Sequence, residues 1–206
     1  NGPPILVRSR GSLGSDVILG INSQGQRMAG GRRFCSIPAY TPGGGKLNRQ
    51  CTRHYKIDVI DQVIRREILG LRSGQRVPRD IRVSKYMGFT IDEAGRAARS
   101  RGRCRSWETM QFPLIDEQMR KSDCIAPLES QVPHRVVNSA CVFCPLLSNR
   151  QFRITRNTDE DWGRALEVDD SMRDGENDLY VHRSLKPLRD ANLHEDQLAL
   201  FDLECE

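Results

Sequence analysis

The chain has 206 residues, 37% of them hydrophobic, 6% aromatic and 29% charged, with a formal net charge of +5. That is enough apolar material for one domain with a real core. No apolar run approaches the roughly 20 residues that a membrane span needs. The sequence opens Asn-Gly-Pro-Pro, without the basic-then-apolar pattern of a secretory signal, so a cytoplasmic setting is expected, with a start that lies upstream of Asn1. Seven cysteines at irregular spacing, one of them necessarily odd, fit a disulfide framework poorly and favour metal binding or thiol chemistry.

The charge is unevenly distributed. From Thr158 to Glu206 there are fifteen Asp and Glu against five Arg and Lys, so residues 1–157 form a basic body and 158–206 an acidic tail. Between Arg72 and Arg105 ten basic residues face three acidic ones, including the run Arg96, Arg99, Arg101, Arg103 and Arg105. Such a run attracts phosphate, of a nucleotide or of a polynucleotide, or it serves as a solvated face.

In chain order, Pro4–Gly11 reads as a short strand and Gly14–Ile21 as a short helix. A basic loop too rich in Gly and Pro to be regular follows, through the sequence MAGGRRFCSIPAYTPGGGK. Over Thr52–Leu71 the apolar residues Ile57, Ile60, Ile64, Ile68 and Leu71 recur at helical spacing, which predicts an amphipathic helix capped by Thr52 with a stripe that must pack on something. Thr90–Glu93 (TIDE) matches a capping box ahead of a short basic helix. Ser122 is a further candidate cap, with Pro127 expected to shorten or kink its helix. Asp159–Arg173 predicts a helix with Trp162, Ala165, Leu166 and Met172 on one face, and the stretch around LYVHRSLKPLRDANL is expected to be loop. A strand followed by helices and long loops points to the α/β class, with too few visible strands to order a sheet.

Cys141 and Cys144 form a C-x2-C, a spacing that lets two thiolates converge on one metal or cluster because the chain turns tightly between them. A thioredoxin-type disulfide normally opens a helix after an early strand, whereas here Pro145 follows the second cysteine and no such unit precedes the pair. A zinc ribbon needs a second pair at short spacing, which is missing. The further candidate ligands are Cys51 and Cys124, each at or near a predicted helix start, where the dipole favours thiolate. Four thiolates from Cys51, Cys124, Cys141 and Cys144 suit an iron–sulfur cluster or zinc equally. Cys35, beside Phe34, and Cys104, among arginines, read as ordinary thiols. Arg49, Arg53 and Lys56 flank Cys51 and are candidates to neutralise thiolates or hold a phosphate, and His182 with Arg183 and Lys186 forms a second candidate phosphate-contacting cluster.

The segments SIPAYT, RQCTRHYKI, FPLID, MRKSDC, SACVFCP and HRSLKPL occur in an order that resembles phosphoadenosine phosphosulfate reductases and their relatives in the adenine-nucleotide ATP pyrophosphatase superfamily, over roughly Ile37 to Leu188. The resemblance implies a partial Rossmann-like α/β domain over 1–157, with a cysteine-rich, helix- and loop-rich C-terminal part and an acidic helix and tail over 158–206. It implies a [4Fe–4S] cluster on Cys51, Cys141 and Cys144, with Cys124 the fourth ligand or a neighbour of an open iron. The implied activity is sulfur transfer or activation of an adenine nucleotide such as ATP. The superfamily's Ser-Gly-Gly-x-Asp-Ser phosphate loop is absent from these residues, so a missing N-terminal segment or a partner chain is expected to supply it. The reductase's C-terminal Glu-Cys-Gly-x-His is matched only by Glu204 and Cys205. The competing reading is a non-catalytic, zinc-stabilised nucleic-acid-binding module on the same four cysteines and the Arg72–Arg105 run.

Overall fold

The computed structural model describes residues 11–133, 140–173 and 178–194. In chain order its elements are α1 (Leu13–Leu19), α2 (Asp58–Val63), β1 (Val83–Tyr86), α3 (Ala94–Arg101), β2 (Glu108–Gln111), α4 (Pro113–Asp116), α5 (Lys121–Gln131), α6 (Asn149–Arg156) and α7 (Asp159–Ser171). The chain is therefore mainly helical with a small parallel two-stranded sheet, a coarse α/β arrangement. No helix among the described residues is long and apolar enough to cross a membrane. The expected strand over Pro4–Gly11, apart from Gly11, and the Glu204–Cys205 pair lie outside the described residues.

The chain divides into two units, residues 1–64 with 140–206 and residues 65–139. The expected boundary at Asn157 falls inside the first unit, between α6 and α7. These helices cannot be parted, because Phe152 of α6 and Ala165, Val168 and Met172 around α7 belong to one buried cluster with Val17, Ile37, Phe143, Val181 and Leu188.

Local chemistry explains the helices of the first unit. Ser148 and Gln151 form a reciprocal capping box on α6, with Gln151 N–H donating to the Ser148 hydroxyl at 3.3 Å and Ser148 N–H to Gln151 Oε1 at 2.9 Å. Asp159, Glu160 and Asp161 fill the first turn of α7, where carboxylates meet the positive end of the helix dipole. Gly20 ends α1 in the left-handed region at φ +65°. Arg33 then ties down the freed carbonyl of Val17 at 2.6 Å.

The helix expected over Thr52–Leu71 forms as α2 flanked by two π-helical turns, Arg53–Ile57 and Ile64–Ile68. Each wider turn shifts the register of the apolar positions, so the single stripe does not survive. Ile64 and Leu71 are buried, whereas Ile57, Ile60 and Ile68 are exposed. Thr52 lies inside the helical turn and makes no side-chain cap.

In the second unit β1, α3 and β2 form a parallel strand–helix–strand unit with Val83 opposite Glu108 and Tyr86 opposite Gln111. The TIDE segment begins with a short 3₁₀ turn, Ile91–Glu93, rather than a capping box: the Thr90 hydroxyl is buried without a hydrogen-bond partner. α5 starts at Lys121 and not at Ser122, with Arg120 N–H donating to Asp123 at 2.7 Å, and it runs through Pro127 to Gln131. The small core centres on Phe112, which is fully buried and stacks on Phe89 with centroids 5.9 Å apart.

Lys85 and Glu108 form an ion pair at 2.7 Å, with side chains only 14% and 4% exposed, and Lys85 also lies over Trp107. A buried charge deprived of its partner is costly to desolvate. Glu108→Gln keeps the shape and removes the charge, and is expected to lower stability by about 1–3 kcal/mol, read as an earlier urea midpoint.

Candidate metal centre

Cys51 opens the helical run that leads into α2. Its amide is not free at the helix start: Cys51 N–H and Gln50 N–H both donate to the Ser36 carbonyl, at 2.9 and 3.0 Å. The following π-turn is fixed from two sides. Tyr55 donates its phenol to Asp16 of α1 at 2.5 Å, and His54 stacks on Phe34 with centroids 6.4 Å apart. Single π-helical turns are uncommon and often stand at functional positions.

Ninety residues later Cys141 and Cys144 close a tight turn, with Cys144 N–H donating to the Cys141 carbonyl at 2.9 Å. The fold brings Cys51 into the neighbourhood of both. Desolvation, then Cys51, push the Cys141 thiol up, while Lys56 pulls it down. Burial, Cys141 and Cys51 push the Cys144 thiol up, against the Leu146 N–H and Arg49. Among the described residues no three His, Cys, Asp or Glu side chains are gathered closely enough to hold one ion together, and all six described cysteines are free thiols. Cys51 acts electrostatically on both thiols of the pair, with Lys56 acting on Cys141 and Arg49 on Cys144, and thiols are donors of the kind a thiophilic metal takes.

The other expected residues separate into groups. Arg49 and Lys56 act on the C-x2-C pair. Arg53 points to solvent, 72% exposed and 3.8 Å from Asp58. Cys124 lies half-buried in α5 of the second unit. Cys35 is buried in the core with its sulfur 3.8 Å from Met172 Sδ, and burial raises it to about 11, so it is an inert core thiol.

His182 does not serve as the expected phosphate contact. It is 4% exposed, and both ring nitrogens are occupied, Nε2 with Asn149 Oδ1 at 3.0 Å and Nδ1 with Ser184 Oγ at 2.7 Å. Ser184 N–H also points at Nδ1, at 3.2 Å, which makes Nδ1 the acceptor and leaves the proton on Nε2. Burial and then Arg183 lower its pKa from the ordinary 6.5, with Asp169 opposing. A histidine whose pKa is depressed by folding contributes stability in full above its unfolded value and loses it as pH falls below that value. Thermal stability is therefore expected to fall as pH drops below 6.5. In His182→Gln this part of the fall is expected to vanish; an unchanged slope counts against the neutral ring.

The loop around His182 carries a residue that sequence reasoning passed over. Asp169 of α7 is fully buried and accepts from Val181 N–H at 3.0 Å, from Leu188 N–H at 2.7 Å and from Arg173 at 2.6 Å. An Asp inside an acidic helical run gives no sign in sequence that it faces inward. Between the two clamped amides, Leu185 sits at φ +55°, a left-handed conformation that a branched side chain adopts only when its surroundings enforce it. Burial pushes the Tyr40 phenol up, with Arg183 opposing and Cys144 adding to the rise. Its hydroxyl donates to the Pro145 carbonyl at 3.3 Å. Lys186 is exposed on the same turn.

In the second unit the arginine run is largely committed to its own fold. Arg96 lies 4.7 Å from the Phe89 ring centroid and pairs with Glu93, Arg101 lies 4.8 Å from that of Phe112, and Arg105 lies 5.9 Å from that of Trp107. These guanidinium groups cover the small core.

No protein family, curated protein or solved structure matches the chain.

Proposed function

We propose that the chain is a metalloprotein of the phosphoadenosine phosphosulfate reductase-like kind, carrying a [4Fe–4S] cluster on Cys51, Cys141 and Cys144 and binding an adenine nucleotide or related phosphate-bearing ligand beside it. The observation that supports this reading best is that the helix start at Cys51 lies in the same electrostatic neighbourhood as a C-x2-C turn ninety residues away. Burial and then the neighbouring thiol charge keep Cys141 and Cys144 protonated, and a bound metal would remove that obstacle by taking the place of the protons. Among the described residues the three thiols are not gathered at one point, so Cys51, Cys141 and Cys144 would have to draw closer to hold the metal. Bound there, the cluster supplies electron-transfer or sulfur-binding chemistry at a fourth iron position. The protein's own part is to hold three thiolates and to offset their charge with Arg49 and Lys56. Arg183, whose charge acts on the Tyr40 phenol, adds a third cation for an anionic ligand.

The test is anaerobic purification of the full chain with iron, zinc and sulfide analysis. Brown protein with broad absorbance near about 400 nm and iron in excess of zinc supports the cluster. Colourless protein with stoichiometric zinc and no sulfide overturns it in favour of a structural zinc site.

A further inference from the structure

We propose that residues 195–206 dock on the outer face of α6, as an intramolecular contact independent of the metal site. The sequence of α6, NRQFRITR, holds three arginines and no acid. Its inward face carries Phe152 and Asn149, both buried. Arg150, Arg153 and Ile154 stand at i, i+3 and i+4 and share another face. Arg150 is exposed there, and Ile154 is 55% exposed. Leu146, two residues before the Ser148 cap, is a further apolar side chain left 44% exposed. The acids that follow α6, Asp159, Glu160 and Asp161, belong to the first turn of α7. The outer face therefore offers cationic and apolar groups together, with no carboxylate on its own helix.

Two observations identify the occupant. The first is where the described chain leads. Asn149 Nδ2 donates to the Asn192 carbonyl at 3.4 Å, and the Arg153 guanidinium donates to the Leu193 carbonyl. Leu193 is buried in the core, and His194 N–H is held by Asn192 Oδ1 at 3.0 Å. Residue 195 thus follows directly on a backbone pinned to α6. Twelve residues extend to about 40 Å at most, and the eight residues of α6 rise about 12 Å, so the segment is long enough to cover the whole helix.

The second observation is chemical. Residues 195–206 contain five carboxylates, Glu195, Asp196, Asp202, Glu204 and Glu206, and no Lys or Arg. They also contain Leu198, Leu200, Phe201 and Leu203. Such a segment supplies what the outer face lacks, anionic partners for its arginines and apolar cover for Ile154 and Leu146. Exposed ion pairs contribute little singly. A tether to the same helix makes the contact intramolecular, at an effective concentration in the millimolar range, where several weak contacts are enough. That favours the chain's own segment over an equivalent one from a second molecule.

The experiment is hydrogen exchange of the full chain followed by mass spectrometry, with circular dichroism to establish that each variant is folded. The amides of residues 195–206 are expected to exchange about tenfold more slowly than in a free peptide of the same sequence, as for a contact closed most of the time. Arg150→Glu and Ile154→Asp are each expected to return them to within about twofold of the peptide rate, while Arg32→Glu, at an exposed position outside α6, is expected to leave the protection in place. If a variant of α6 does not fold, Phe201→Asp within the segment carries the same expectation against its own peptide. The proposal is overturned if wild type exchanges at the free-peptide rate, or if protection survives in either folded α6 variant. Equal loss in Arg32→Glu overturns it too, since a general field and not this face then holds the segment. Protection that rises with protein concentration overturns it in favour of a second copy as the source of the segment.

Discussion

Cys51→Ala is expected to strip most of the iron from anaerobically prepared protein, and Cys141→Ala and Cys144→Ala are expected to do the same. A cuboidal cluster is held by its thiolates, and removing any of the three leaves two, too few to keep it against loss to solvent. Cys51 is the informative member: it sits far from the pair in sequence, and only the fold brings it to them. Cys35→Ala is the matched control. Its thiol also lies within electrostatic reach of Cys51, but it points into the core against Met172 and stays protonated, so iron is expected to be retained. Cys205→Ala is expected to retain iron as well. Full iron occupancy in Cys51→Ala, measured by metal analysis and absorbance, would sink the assignment.

Asp169→Ala is expected to destabilise the first unit by about 3–5 kcal/mol, the scale for deleting one partner of a buried, hydrogen-bonded charge pair. The carboxylate is fully buried and joins three groups: Arg173, just past the end of α7, and the amides of Val181 and Leu188. Alanine leaves both buried amides without this acceptor and the Arg173 guanidinium with Asp170 alone, and the release of Leu188 also opens the core cluster in which that residue sits. The neighbouring Asp170 is the contrast. It also pairs with arginines, Arg173 and Arg189, but its side chain is 41% exposed. Surface pairs contribute little, so Asp170→Ala is expected to cost less than about 1 kcal/mol. Urea unfolding of the two variants side by side decides between a buried clamp and an ordinary acidic helix face, since equal small losses would leave Asp169 without its clamping role.

Part of this was legible in the sequence because it rests on local physics. The helix over α7 follows from the spacing of Ala165 and Met172 and the acids of its first turn, and both residues are buried as that spacing requires. The turn between Cys141 and Cys144 follows from C-x2-C spacing, and Cys35 as an ordinary thiol follows from its apolar neighbours. The long helix after Cys51 was legible as helix but not as a shape. Periodicity assumes 3.6 residues per turn, and the two π-turns break that assumption, leaving Ile57 and Ile60 at the surface. The capping boxes show the same limit: TIDE and Ser148-x-x-Gln151 carry equivalent local signals, and only the second forms.

Sequence alone determined which residues have metal-binding and phosphate-binding chemistry, since thiols, guanidiniums and their local spacing are written residue by residue. Tertiary structure decided the surroundings of each. It put Cys51 beside a pair ninety residues away, placed Cys124 in another unit and turned His182 inward onto Asn149. It also folded arginines of the basic run over Phe89, Phe112 and Trp107. These outcomes depend on long-range burial. A charge or imidazole is drawn inside only where the packed chain offers it a partner, and the position of that partner is a property of the whole fold and not of the residues on either side.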